Sequence, residues 1–149
     1  MTIIREVLFK AKLKDWKTNS QQNKWVEGYY LSRKETTYCF TEDYEKFPVK
    51  ILHYIAVDSM TDWGLPNEFR YYEIDPDTLC QYTGQNDMDD NMIWENDCIG
   101  HKLNIVEFFN DGWCINGDSP LSCVSKYYKI IGNIFDNPEL LKGEVNECK

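Results

Sequence analysis

The sequence has little histidine and lacks the motif spacings that carry most enzymatic and metal chemistry. It has only two histidines, His53 and His101, far apart and in no metal-ligand spacing, so each reads as a surface or internally bonded ring. Its six cysteines include no Cys-x-x-Cys pair, which argues against a zinc ribbon or a redox dithiol; in a reducing compartment they are most simply buried apolar side chains. Glycine-rich phosphate loops, a nucleophile elbow and a His-Glu-x-x-His run are all absent. No cofactor or metal is therefore expected. Long apolar runs are missing too: none approaches the roughly 18 residues of a membrane span, and the N-terminus lacks the charged, apolar and small-residue order of a secretory leader. A soluble protein of the cytoplasm is expected. Positive charge is also scarce. Sixteen basic residues against twenty-five acidic ones give a net charge of −9, which repels phosphate backbones and disfavours direct binding of DNA or RNA. The surviving nucleic-acid reading is inverted, with the acidic chain occupying a basic groove on a partner; an ordinary solvated acidic surface is the simpler one.

What the chain has in plenty is aromatic rings. Five Trp, ten Tyr and seven Phe in 149 residues favour pleated, half-buried surfaces and interfaces over helices. The length suits one domain or two small subdomains. From Ile3 to Leu13 apolar residues alternate with Glu6, Lys10 and Lys12, the period of a strand with one buried face. After a polar loop, residues 24–31 return as a second strand in which Gly28 suggests a bulge. Residues 38–40 read as a short strand, and residues 41–48 allow at most one helical turn. Residues 49–57 form a further strand whose Leu52 and Tyr54 give it a second apolar face. Trp63, in the loop of residues 58–67, either tucks into the core or anchors a partner. Residues 69–74 are a strand with Arg70 and Tyr72 on one face and Phe69 and Tyr71 on the other.

The most informative stretch runs from Asp75 to Ile99. Asp75-Pro76 fixes a turn that Thr78 can support; Leu79 to Tyr82, with Gln81, is a short strand followed by Thr83 and then ended by Gly84. Gln85 to Asn91 is a hairpin loop, Met92-Ile93-Trp94 the return strand, and Glu95-Asn96-Asp97 a sharp turn with Asn96 at the left-handed position. Asp87-x-Asp89-Asp90-Asn91 resembles a calcium loop, but Met92 and Cys98 stand where the glycine and bidentate glutamate are needed, so a solvated tip is preferred. Glu95 and Asp97 are best placed to accept backbone N–H bonds, not to act as an acid and base pair.

Further on, Asn110-Asp111-Gly112 between apolar runs is a strong hairpin signal. Residues 124–131 alternate as a strand that would pair Lys126 with Tyr128 and Tyr127 with Lys129. Such faces can stack a base and bind a phosphate, although an ordinary amphipathic strand is the plainer reading. Asn137-Pro138-Glu139 opens a one-turn helix, residues 138–142, stopped by Gly143; residues 144–149 are expected to fray.

Asp75, Pro76, Thr78, Leu79, Gln81, Tyr82, Thr83, Gly84, Asp87, Ile93, Trp94, Glu95, Asp97 and Ile99 together resemble the signature of the YopX family of bacteriophage and prophage proteins, with Asn96 and Asn91 where that family usually has glycine. Residues 5–11, 25–28 and 131–141 are similar to its opening, second and closing segments. The resemblance implies a Src-homology-3-like small barrel in the C-terminal half and a tendency to oligomerise, and supplies no catalytic residues. Strand spacing after Thr78 independently suits a small barrel.

The expectation is thus a mainly β chain: an N-terminal meander, residues 1–77, packed on a C-terminal small barrel, residues 78–149, with one short terminal helix. Functionally, a non-enzymatic phage protein modulating a host protein is expected, assembled as a homo-oligomer because the aromatic load exceeds what such a core hides. Trp63, Tyr54 and Tyr72 are its candidate interface, and Arg70, Lys126, Tyr128 and Lys129 its candidate ligand contacts. One alternative is a counter-defence protein sequestering a small host nucleotide between subunits; another is an enzyme acting on such a molecule.

Overall fold

The computed structural model describes Thr2 and residues 4–142. With 42% strand and 16% helix the chain is mainly β. It divides into two compact units: one is Leu8–Leu79, and the other runs from Cys80 onward and takes in the described residues before Leu8. No helix among the described residues is long and apolar enough to cross a membrane.

The first unit is built from strands β1 (Phe9–Lys12), β2 (Trp25–Lys34), β3 (Ile51–Ser59) and β4 (Glu68–Glu73), antiparallel in the order β4-β3-β2-β1. A short helix, α1 (Thr41–Lys46), lies between β2 and β3. Strand β2 changes partner part-way: Trp25 to Gly28 pair with β1, and Tyr29 to Lys34 pair with β3. Gly28 stands at the changeover. A Cβ there would overlap the carbonyl oxygen of Ala56, so glycine is required by close backbone approach. Both registers run through unshifted, which replaces the expected bulge.

Beyond β1, Leu13 bridges Ile74; the Lys14 N–H donates to the Glu73 carbonyl at 3.2 Å and the Asp75 N–H to the Lys12 carbonyl at 2.9 Å. The sheet therefore curls until its first and last strands touch at one end. Ala11, Ile55 and Ile74 fill the curl, with Phe9, Val26, Tyr30, Val57 and Leu79 packed around them.

The second unit holds β5 (Cys80–Asn86), β6 (Met92–Trp94), β7 (Asp97–Ile99), β8 (Val106–Phe109), β9 (Gly112–Ile115), β10 (Ser119–Pro120) and β11 (Ile130–Asn133). Within it β5 pairs β6, β9 lies between β8 and β10, and β7 pairs β11. Ile93, Ile99, Val106, Ile115 and Leu121 form its core. Among the described residues these ladders do not close into one barrel. Asn110 and Asp111, at φ of 48° and 66°, turn β8 into β9 as a left-handed hairpin pair.

Several local expectations are corrected. Strand β1 starts only at Phe9, because Ile4 and Val7 are exposed; Ile3 lies outside the described residues. Residues 38–40 are not a strand. Gly84, at φ 80°, does not end β5 but sits in the register shift between Tyr82 and Asn86. Residues 124–131 are not one strand: α2 (Leu121–Val124) and a 3-10 turn (Ser125–Tyr127) precede β11. Leu121, Val124, Ser125 and Tyr128, the inward positions, recur at helical spacing, and the apparent alternation hid that period. Cys80, Cys98 and Cys114 are buried, but Cys39 and Cys123 are exposed. The expected short closing helix is present, as a 3-10 turn over Pro138–Leu141; Gly143, Cys148 and the expected frayed tail lie outside the described residues.

Replacing Gly28 by Ala is expected to cost about 2 kcal/mol and lower Tm by on the order of 10 °C. Gly112→Ala, where an added Cβ meets nothing within 4 Å, is the control and should leave Tm unchanged or slightly raised. Equal melting of the two variants would contradict the close approach.

Candidate binding surface

Most polar side chains of the Asp75–Ile99 signature bond the backbone. In the first unit, Asp75 caps the 3-10 turn Pro76–Thr78: Oδ1 accepts from the Asp77 N–H at 3.1 Å, and Oδ2 from the Trp16 indole at 2.9 Å. Buried Thr78 donates its hydroxyl to the Asp75 carbonyl at 2.7 Å and accepts the Lys12 N–H at 2.9 Å. In the second unit, the Gln81 N–H donates to Glu95 Oε2 at 3.2 Å and the Trp94 N–H to Asp97 Oδ2 at 2.8 Å, while Asn96 holds φ 67°. Thr83 donates to the Ile93 carbonyl at 2.8 Å. These contacts shape the turns.

Asp87 does similar work inside the second unit. It is 6% exposed, at the base of a tip whose Asp89, Asp90 and Asn91 are exposed as expected. Its Oδ1 accepts the N–H groups of Asp89 and Asn91, both at 2.9 Å, and its Oδ2 accepts the Ile130 N–H at 3.1 Å, tying the β5–β6 loop to β11. Burial pushes its carboxyl up, but the backbone donors from Asn91, Ile130 and Asp89 outweigh that and hold it below the ordinary value. Among the described residues no cluster of three or more His, Cys, Asp or Glu could hold a metal.

What the first unit does present is a ring-covered face. Register sets Tyr29, Ala56 and Tyr71 in one row across β2, β3 and β4, with Leu31, Tyr54 and Glu73 in the next and Phe69 alongside. Tyr29, Phe69 and Tyr71 remain exposed while Ala56 is buried beneath them; Tyr29 and Phe69 meet edge-on, centroids 6.1 Å apart. Of the three interface candidates, Tyr54 lies on this outward face. Tyr72, opposite Ile55, lies on the other face of β4 together with Arg70. Trp63, at 89% exposure, is fully displayed on the β3–β4 loop. Tyr29 was not singled out in the sequence, although its place in an alternating strand with Tyr30 carried the signal.

The remaining ligand candidates lie in the second unit. Lys129 is paired with Asp89 at 3.1 Å. Tyr128 packs on the core and meets His101 edge-on at 5.9 Å, so it offers no free stacking face with Lys126. Lys126 instead lines a cavity of about 550 Å³ with Tyr82, Asn86, Asp87, Asp90 and Ser122. Burial, aided by the carboxylates of Glu6 and Asp90, pushes the Tyr82 phenol up, and its hydroxyl donates to Asn86 Oδ1 at 2.6 Å.

A family model described as YopX protein matches residues 15–142. No curated protein matches the chain.

The Asp87 carboxylate gives a pH dependence with a definite sign. A carboxyl held below its ordinary value of 3.8 stabilises the fold fully above that value, and the contribution is lost as pH falls through the depressed one. Asp87→Ala should cost about 3 kcal/mol at pH 7 because three backbone donors lose their acceptor. Asp87→Asn should cost less and flatten the loss of stability below about pH 4. Denaturant melts at pH 3 to 7 check this; a variant slope equal to that of the wild type would contradict it.

Proposed function

Because the chain belongs to the YopX family, we propose that it is a phage- or prophage-encoded protein that binds and modulates a host protein in the host cytoplasm, assembles with copies of itself, and performs no catalysis. The observation that carries this reading is the aromatic outer face of β2, β3 and β4. Tyr29, Phe69 and Tyr71 keep half or more of their surface in water at a cost that burial against a partner would remove, and rings of this kind are the commonest energetic anchors of protein interfaces. A net charge of −9 suits a basic protein surface better than an anionic metabolite. The buried carboxylates Asp87 and Asp97 accept backbone N–H bonds, which leaves them satisfied and not poised for proton transfer.

Nucleotide sequestration has one observation in its favour, the cavity that Lys126 shares with Tyr82. Asp87 and Asp90 line it as well, and two carboxylates against one ammonium oppose an anion. The protein-binding reading is therefore preferred.

Tagged protein produced in infected or lysogenic cells provides the test. A host protein retained by the wild type and by Tyr127→Ala, but at least about tenfold weaker with Tyr29→Ala, is the expected result. Equal retention by all three would refute the outer face as the contact. A thermal-shift screen with cyclic and ADP-ribose-type nucleotides should give no stabilisation. Several degrees of shift from a nucleotide recovered intact would favour sequestration, and an altered nucleotide would favour an enzyme.

A further inference from the structure

The geometry points to β4 as a self-complementary edge that pairs, antiparallel and two-fold, with β4 of a second copy, Phe69 lying opposite its own counterpart. This deepens the self-assembly part of the proposed function and is separate from host-protein binding. Ile74 faces His53 in the β3–β4 register and donates its N–H to the His53 carbonyl at 3.0 Å, so it belongs to a hydrogen-bonded pair. Antiparallel ladders alternate. Tyr72, Arg70 and Glu68 therefore direct their N–H and C=O groups to β3, and Glu73, Tyr71 and Phe69 direct theirs outward. Among the described residues strand β4 has no other neighbour in its sheet. Glu73 is already covered, since its carbonyl accepts the Lys14 N–H and its carboxylate pairs with Lys14 Nζ at 3.0 Å. The open edge is that of Phe69 and Tyr71.

A two-fold pair of such edges must match outward residues with outward residues, which leaves few registers. Centring on Glu68 sets Glu68 against itself, and centring on Arg70 sets Arg70 against itself; like charges directly opposed are unfavourable. Centring on Tyr71 drives Phe69 against Glu73, where Lys14 already sits. Centring on Phe69 is the register that remains. There Glu68 of each copy faces Arg70 of the other, twice, in non-hydrogen-bonded positions where side chains approach most closely. Neither Glu68 nor Arg70 has an ion-pair partner among the described residues. Unprotected edges of this kind are ready templates for another chain, and here the charge pattern selects the same chain. The pairing also brings Phe69 and Tyr71 of both copies onto one side, so two aromatic faces become one.

Charge exchange tests the register directly. Wild-type protein at micromolar concentration is expected to scatter as an even multiple of 17.7 kDa. Glu68→Arg and Arg70→Glu should each weaken association by on the order of tenfold or more while leaving the circular dichroism spectrum unchanged, because both side chains are exposed. Mixing the two variants should restore it. One copy then offers two arginines and the other two glutamates, so both contacts reform as a heterodimer. A monomeric wild type would overturn the inference and the self-assembly reading together. An oligomer indifferent to either substitution, or one that mixing does not restore, would overturn the β4 register and leave self-assembly standing.

Discussion

The first unit depends on the bonds that join the end of β1 to the segment after β4. Lys12 and Lys14 exchange backbone bonds with Asp75 and Glu73, and the Thr78 hydroxyl sits between Lys12 and Asp75, accepting from one and donating to the other. A four-stranded antiparallel sheet could lie open; these contacts curl it. Once the curl is fixed, one face of β3 and β4 closes over Ile55 and Ile74, and the other must turn its tyrosines and phenylalanine outward. The same contacts cover Glu73 and leave Phe69 and Tyr71 at the open edge. The outward face and the open edge are thus two consequences of one closure.

Closure also accounts for the unusual position of Lys12. It is 1% exposed, and burying an ammonium is costly unless its charge is met. Its Nζ bonds Asn23 Oδ1 and stands 4.5 Å from the Trp16 ring and 5.2 Å from the Trp25 ring. Two aromatic faces and an amide replace water around the cation. Trp16 is held in turn by its indole bond to Asp75, so the lysine, both tryptophans and the turn aspartate form one connected unit. Part of the chain's aromatic surplus is used inside in this way; the rest is displayed.

Much of this was legible locally. Asp75-Pro76, Asn96 and Asn110-Asp111-Gly112 specify turns through proline's fixed φ and the tolerance of asparagine and aspartate for positive φ. The faces of β4 follow from alternation. Long-range effects were not readable in the same way. Lys12 has the alternating place of a surface residue, and only the return of Trp16, Asn23 and Trp25 makes it internal. Gly28 signals an irregular strand, yet whether that means a bulge or a close approach depends on Ala56, distant in sequence. Residues 124–131 show a strand period, but their first half continues a helical period from Leu121, and packing of Leu121, Val124 and Tyr128 into the core with Ile93 and Ile99 decides for the helix. The outward face required knowing which side of the sheet the curl would close.

Residue-resolved amide hydrogen exchange along β4, followed across protein concentration, reads the open edge residue by residue. Arg70 and Tyr72 bond to β3 and should exchange slowly at every concentration. Phe69 and Tyr71 should exchange fast in dilute protein and become protected as copies associate. Fast exchange of Phe69 and Tyr71 at all concentrations, or protection that persists in a dilute monomer, would contradict an open, self-pairing edge.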